Sequence, residues 1–416
     1  MNKKILVNIA SLMGVQGIGY IIPLLTLPYL VRVLDPHGYG IYGYTLAIVQ
    51  YFTLLVDFGF NLSITKKISR NKDDKNKIST IFWNVIACKL LLALIGFILI
   101  FIWAIIDPLF SGNENILISA YAIVLGNMIF PVWLFQGKEE MANIAFSNIL
   151  SKLLVVPAIF IFVTSDADIW LACLLNGLTF IIAGSIGVFL VYKKSWICWI
   201  MPTRRGMIDE YKNAWHVFLS TAAINAYTSS ITVILGIVTT PTVVGYFVAA
   251  DKIRLAVQGL IGPISQALYP RINALMIKDK KQAFNTISVL LKVQGGGAFI
   301  LSLLLCFLSS QIIYFMYGAA YTDSIPVMRV LSWLPFIVAI SNVFGYQTLL
   351  ALGLEKFFSY IVLIGAVIAL VIIYPLVVYF QQLGAAVTIL ITELIVNQLM
   401  LFIILKKKIP IFKRTL

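Results

Sequence analysis

The sequence predicts an all-α polytopic membrane protein, with about 12 transmembrane helices in two six-helix lobes related by a parallel repeat around a central cationic lumen. Three observations predict it. The 416 residues are 61% hydrophobic and only 12% charged, with mean hydropathy +0.97, about half the charged fraction of a soluble domain. Apolar runs of about 20 residues, long enough to cross a bilayer as a helix, recur from end to end. Loop signals recur in the same order in both halves.

The first run, 5–30, follows "MNKK" and so resembles a signal peptide. It is too long for one, contains Pro23 and Pro28 and precedes no small-residue cleavage site, so it reads as a retained helix. Further spans are expected at 39–61, 78–106, 116–135, 142–163, 168–191, 214–238, 243–269, 284–315, 325–351, 357–380 and 384–405.

Basic residues set the orientation. With both termini cytoplasmic, 24 of the 31 Lys and Arg residues fall on that side, including Lys66, Lys67, Arg70, Lys72, Lys75 and Lys77 in one turn. The opposite loops hold Arg32 with Asp35, Asp107, Glu114, Asp166, Asp168 and Asp323. The net charge of +14 is therefore topology, with membrane lipids as the partner and no nucleic acid. Cys88, Cys173, Cys198 and Cys306 show no disulfide or zinc spacing, and His37 and His216 are the only histidines, so free thiols and no metal site are expected. No phosphate-loop motif is present, so hydrolysis of ATP is excluded and no cofactor is implied.

Pro36 and Gly40 of "LDPHGYGIY" parallel Pro241 and Gly245 of "TTPTVVGYF", an offset of 205 residues that also takes Lys66 to Arg271. Six spans per half is an even number, so both halves enter the membrane in the same direction. The division is 1–191 for the N-terminal lobe, 192–213 for a cytoplasmic linker and 214–416 for the C-terminal lobe.

Subtracting loop residues leaves Lys89, Lys152, Lys252, Arg254, Lys292 and Arg329, against Asp57, Asp251 and Glu393. A charge at the bilayer centre costs about 2.5–3.5 kcal/mol on insertion scales, so such groups face a cavity or a partner. Arg329 and Lys292 lie near span ends and have snorkelling as an alternative. Asp57, in "DFGFN", has pairing with a neighbouring base as an alternative. Lys152 and Lys252 are near mid-span, which favours a cavity. In "GYFVAADKIRLAVQGL", Asp251 and Arg254 lie on one helix face, continued by Gln258, Gly262 and Ser265. An i,i+3 pair between them is expected, with Lys252 pointing away and lacking that partner. Lys89 and Lys292 sit at roughly equivalent positions of the two halves. Polar and aromatic groups, among them Gln16, Tyr20, Gln50, Tyr51, Asn225, Tyr227, Thr228, Ser229, Ser230 and Thr232, suit a sugar, although such residues also glue helices together. "GGG" at 295–297 reads as close helix packing or a hinge. Glu393, with no base near it in sequence, is the candidate for ion coupling; Asp57 and Asp251 are the others.

The stretches "PLLTLPYLVRVLDPHGYGIYG" (23–43), "DFGFNLS" (57–63), "PVWLFQGKEEM" (131–141) and "GLIGPISQALYPRI" (259–272) resemble the O-antigen flippases of the Wzx type, in the multidrug/oligosaccharidyl-lipid/polysaccharide exporter superfamily. The similarity runs along essentially the whole chain. It implies a Gram-negative inner-membrane transporter, not an enzyme, that carries an undecaprenyl-pyrophosphate-linked O-antigen repeat unit from cytoplasm to periplasm by alternating access. It further implies coupling to H⁺ or Na⁺ and partnership with an O-antigen polymerase and a chain-length regulator. Two rivals remain. A multidrug antiporter of the same superfamily should have an acid-rich lumen. A membrane glycosyltransferase (polymerase or ligase) should have a large periplasmic loop; the loops on that side are about ten residues or fewer.

Overall fold

The computed structural model describes residues 25–412, apart from the side chains of 220, 223, 224, 226–228, 263, 266 and 267. Most of the span expected at 5–30, with Gln16 and Tyr20, and the side chains of Tyr227 and Thr228 lie outside the described residues. What is described is helical throughout, with no strand among the described residues.

The order is α1 (25–33), α2 (Asp35–Asp57), α3 (Phe60–Ser69), α4 (Lys75–Ile106), α5 (Glu114–Ala120), α6 (Ala122–Ile129), α7 (Val132–Gly137), α8 (Met141–Phe162), α9 (Ile169–Lys193), α10 (Arg204–Val238), α11 (Pro241–Gly259), α12 (Gly262–Lys278), α13 (Lys280–Phe307), α14 (Ser309–Tyr317), α15 (Ser324–Leu331), α16 (Leu334–Asn342), a π-helix at Val343–Leu350, and α17 (Glu355–Lys406). Eight helical stretches among the described residues are long and apolar enough to cross a membrane. One of them, α17, runs for 52 residues and is two helices joined at Gln381, whose φ of 49° and ψ of −127° are not helical. At 1.5 Å per residue its length is more than twice what one crossing needs. The protein is an integral membrane protein.

Sequence chemistry explains where helices start and break. Pro36 starts α2, and the chain leaves that helix through Phe58 and Gly59, both left-handed, with φ of 42° and 74°. The Asp74 carboxylate caps α4 by accepting from Lys77 N at 3.0 Å, and Asp279 caps α13 by accepting from Gln282 N at 3.0 Å. The Lys77 amide holds the Asp74 carboxyl below its usual range. A proline in the first turn of α12 offers no N–H, and the chain tightens at Leu260 and Ile261 into three-residue bonds to Val257 and Gln258. Between α6 and α9 the backbones touch. A Cβ on Gly126 would lie 2.4 Å from the Phe180 carbonyl carbon, and one on Gly177 would lie 2.4 Å from Ala122 Cβ, the close approach that small residues permit in membrane helices.

The chain forms two compact units. One is Val33–Val233; the other joins the segment ending at Arg32 to Ile234 onward. Hydrogen bonds place the short N-terminal segment: Tyr321 Oη donates to Val31 O at 3.0 Å and Arg32 Nε to Met316 O at 2.9 Å. These limits differ from the expected 1–191, 192–213 and 214–416. Residues 204–213 of the expected linker are the first turns of α10, docked within the Val33–Val233 unit. There Lys67 pairs with buried Glu210, and Tyr211 Oη donates to Cys88 O at 2.8 Å. Phe218 stacks on Phe58 at 4.5 Å.

Candidate functional site

The charges expected inside the membrane divide into three kinds. The first is closed. Lys89 on α4 is 1% exposed, and its Nζ lies 3.1 Å from Asp57 Oδ1 at the end of α2. Asn61 Nδ2 donates to the other carboxylate oxygen at 2.8 Å. Lys89 thus faces Asp57 rather than open space, which is the pairing alternative for Asp57. Lys152 is half-buried on α8.

The second kind is a clamp on α11. Arg254 is 9% exposed. Its Nε donates to Asp251 Oδ1 at 2.9 Å, its Nη2 donates to the same oxygen, and its Nη1 donates to Gln258 Oε1 at 2.7 Å. The expected i,i+3 pair is present, and Gln258 on the following turn extends it. A guanidinium has five N–H bonds. Three are engaged here, and two have no partner among the described residues. Glu393, on the part of α17 beyond Gln381, is half-buried. It makes no hydrogen bond or ion pair among the described residues.

The third kind is open. Lys252 and Lys292 are exposed and make no hydrogen bond or ion pair among the described residues. Lys292 lies opposite the buried stripe Ala283, Ile287, Leu290, Gln294, Ala298 of α13. Arg329 is also exposed, near the end of α15, where its Nε donates to Ser309 Oγ at 3.2 Å. No cluster of three or more metal-binding side chains occurs among the described residues.

A family model described as polysaccharide biosynthesis protein matches residues 5–276. Over 409 residues the chain is 37% identical to a putative O-antigen transporter of Escherichia coli (strain K12), covering 97% of each chain. It is 32% identical over 394 residues to a putative O-antigen transporter of Shigella dysenteriae, covering 95% of this chain and 98% of that one. The chain belongs to the polysaccharide biosynthesis protein family. The resemblance read from the sequence therefore holds. Two solved structures share the fold of this family member. The lipid II flippase MurJ, inward closed, matches with TM-score 0.71 at 15% identity, covering 96% of this chain and 87% of that one. An inward-facing multidrug resistance MATE family transporter of the MOP superfamily matches with TM-score 0.68 at 16% identity, covering 94% and 99%.

In this polysaccharide biosynthesis protein, two of the stretches that carried the resemblance meet. Thr65 Oγ1, on the helix that "DFGFNLS" opens, donates to Gln136 Oε1 at 3.1 Å, and a Cβ on Gly137 would lie 2.5 Å from Ile68 Cγ2. The rest of "WLFQGKEE" ties the neighbouring turns. Glu139 pairs with Lys72 and Glu140 with Lys194. Lys138 and Lys194 lie 5.6 and 5.1 Å from the Trp196 ring centroid. These motif residues fasten loops to one another.

Asp74 and Asp279, which cap α4 and α13, lie 205 residues apart; Gln294 stands as far beyond its cap as Lys89 does beyond its own, and Lys292 two residues nearer. The glycines at 295–297 do not serve close packing: a Cβ on Gly296 or Gly297 would meet nothing within 4 Å, and one on Gly295 only Ile340 at 3.9 Å. Gln294 and Gln347, both buried, escaped the charge census because they carry no charge. Applying the offset of 205 to Lys89 finds the first.

Proposed function

We propose that the protein moves undecaprenyl-pyrophosphate-linked O-antigen repeat units from the cytoplasmic to the periplasmic leaflet of a Gram-negative inner membrane. It does so by alternating access of two six-helix halves, with about 12 crossings and both termini cytoplasmic. The observation that carries this reading is the near full-length identity to two proteins named putative O-antigen transporters. The chemistry of the charges agrees with it. Arg254 keeps two N–H groups for an anion, and Lys252 and Lys292 add open positive charge, which suits a pyrophosphate; charge-assisted hydrogen bonds to such a group are roughly twice as strong as neutral ones. A lysine on an exposed face at mid-membrane is tolerable only where that face meets water, so Lys252 marks the wall of the aqueous path. Glu393, half-buried and without an ion pair among the described residues, carries the coupling ion, H⁺ or Na⁺.

Expression in a strain deleted for its own O-antigen transporter tests the reading, with lipopolysaccharide gels as the measurement. A restored O-antigen ladder is the expected result. An inert protein at matched expression, across strains with different O-units, overturns it. The fold shared with a multidrug transporter supports a second reading, drug export, which raised drug resistance in the same cells would reveal.

A further inference from the structure

The unit that holds α11–α17 is crossed by a layer of buried polar groups. Ser265 Oγ on α12 donates to Gln294 Oε1 on α13 at 2.9 Å, Gln294 Nε2 reaches Ala339 O on α16 at 3.5 Å, and Gln347 Nε2 in the π-helix donates to Ser265 O at 2.9 Å. Ser265, Gln294 and Gln347 are 8%, 3% and 1% exposed. Two apolar clusters adjoin these groups. One turn to one side, Ile261, Ala298 and Ala339 form a small cluster. A large cluster includes Ile272, Ile287, Leu290 and Val396, with Val343 and Leu349 on either side of Gln347 along the chain.

Two of the three elements lose their regularity near this level, and the third, regular here, carries three glycines. The α11–α12 rod is broken at Leu260 and Ile261, four residues before Ser265. Three consecutive glycines follow Gln294 in α13, and no neighbour there needs the missing side chains. Gln347 itself sits in the π-helix. Glycine in a helix interior weakens it, and π-turns open the backbone ladder. Packing does not explain the glycines, and a random scatter of irregularities would not gather on one hydrogen-bonded layer. Gln347 Oε1 is buried with no hydrogen-bond partner, an acceptor left unsatisfied in this arrangement.

We infer that this layer is a hinge. The ends of α12, α13 and α16–π that carry the large core swing as one body against the ends that carry Ile261, Ala298 and Ala339. Amide side chains can exchange partners as the angle changes, and Gln347 Oε1 gains its donor in the other arrangement. The inference rests on the transport reading only for what the swing accomplishes.

Hydrogen–deuterium exchange on the full chain in lipid nanodiscs tests the hinge without any substrate. Amides 295–301 should exchange at least about tenfold faster than amides 90–96, their counterparts on α4. Gly296→Ala with Gly297→Ala should slow that exchange, raise the melting temperature and cut O-antigen export severalfold; Gly296→Ala alone should do each to a lesser degree. Equal protection of 295–301 and 90–96 overturns the hinge whether or not the protein is a transporter. Slowed exchange with undiminished export overturns its part in transport. A destabilised double variant would show a packing role for the glycines and overturn the inference as well.

Discussion

Position 89 in one unit and position 294 in the other occupy the same place after helix caps 205 residues apart, yet they are built from different chemistry. In the Val33–Val233 unit the place holds Lys89, sealed against Asp57 beside the Phe58–Gly59 break. That break is also jammed. Phe58 stacks on Phe218, and a Cβ on Gly59 would lie 2.8 Å from Phe218 N. In the other unit the place holds Gln294, joined to Ser265 just past the Leu260–Ile261 break and followed by three glycines, of which Gly296 and Gly297 face open space. A buried ion pair is costly to separate, because each ion stripped of its partner keeps its desolvation penalty. An amide–hydroxyl contact exchanges partners cheaply. Each unit thus has a broken helix beside this position, and the side chain there decides whether the frame is locked or able to bend.

The largest expected effect breaks the locked side. Lys89→Ala leaves Asp57 with Asn61 as its remaining partner, and should cost about 3 kcal/mol, the low end for a broken buried pair because Asp57 keeps some exposure. Thermal melting of the purified protein in detergent is the check. Lys89→Met combined with Asp57→Asn should recover most of the loss. A single variant that melts like the parent would mean that the pair does not lock the unit.

A second test moves to the charges of the other unit. Arg254→Ala should lower O-antigen export more than Arg254→Ala with Asp251→Ala. The single change leaves Asp251 as an unmatched anion where an anion is to bind. The single variant is expected to lose about tenfold or more in export, the scale of a charge-assisted hydrogen bond. Equal loss in both would show that Asp251 has no part beyond its pairing. A smaller effect separates open from closed cations. Lys252→Ala and Lys292→Ala should reduce export while shifting stability by no more than about 0.5 kcal/mol, since exposed side chains without partners hold nothing together. A large fall in melting temperature would show that either lysine is structural.

The helical class and most spans were legible because hydropathy and length report them directly. The Arg254–Asp251 pair was legible because i,i+3 geometry is local to one helix. Lys89–Asp57 was visible only as two charges in neighbouring spans, since their meeting depends on how α2 and α4 pack. The polar layer was not legible at all. Ser265, Gln294 and Gln347 are neutral and scattered over 83 positions of chain, and only the packing of three helices brings them together. The triple glycine stood out in the sequence, but its meaning depended on whether a neighbour pressed against it.

The smallest effect concerns the caps of α4 and α13. Asp74→Ala removes the carboxylate that accepts from Lys77 N at the start of α4, as Asp279→Ala removes the one that accepts from Gln282 N at the start of α13. Both should loosen the first turn of their helix and leave the contacts of Lys89 and Gln294, about four turns further on, in place. The Asp74 carboxyl is held below its usual range, chiefly by the Lys77 amide. Its stabilising contribution is therefore complete above the unfolded carboxylate value, about pH 4, and is lost as pH falls through the lower folded value. The melting-temperature gap between parent and Asp74→Ala should be constant from about pH 7 to about pH 5 and should close as the pH is taken below about 4. A gap that persists unchanged at about pH 3 would mean that the cap works without its charge. A gap that appears only in acid would reverse the assignment of the carboxylate as the stabilising form.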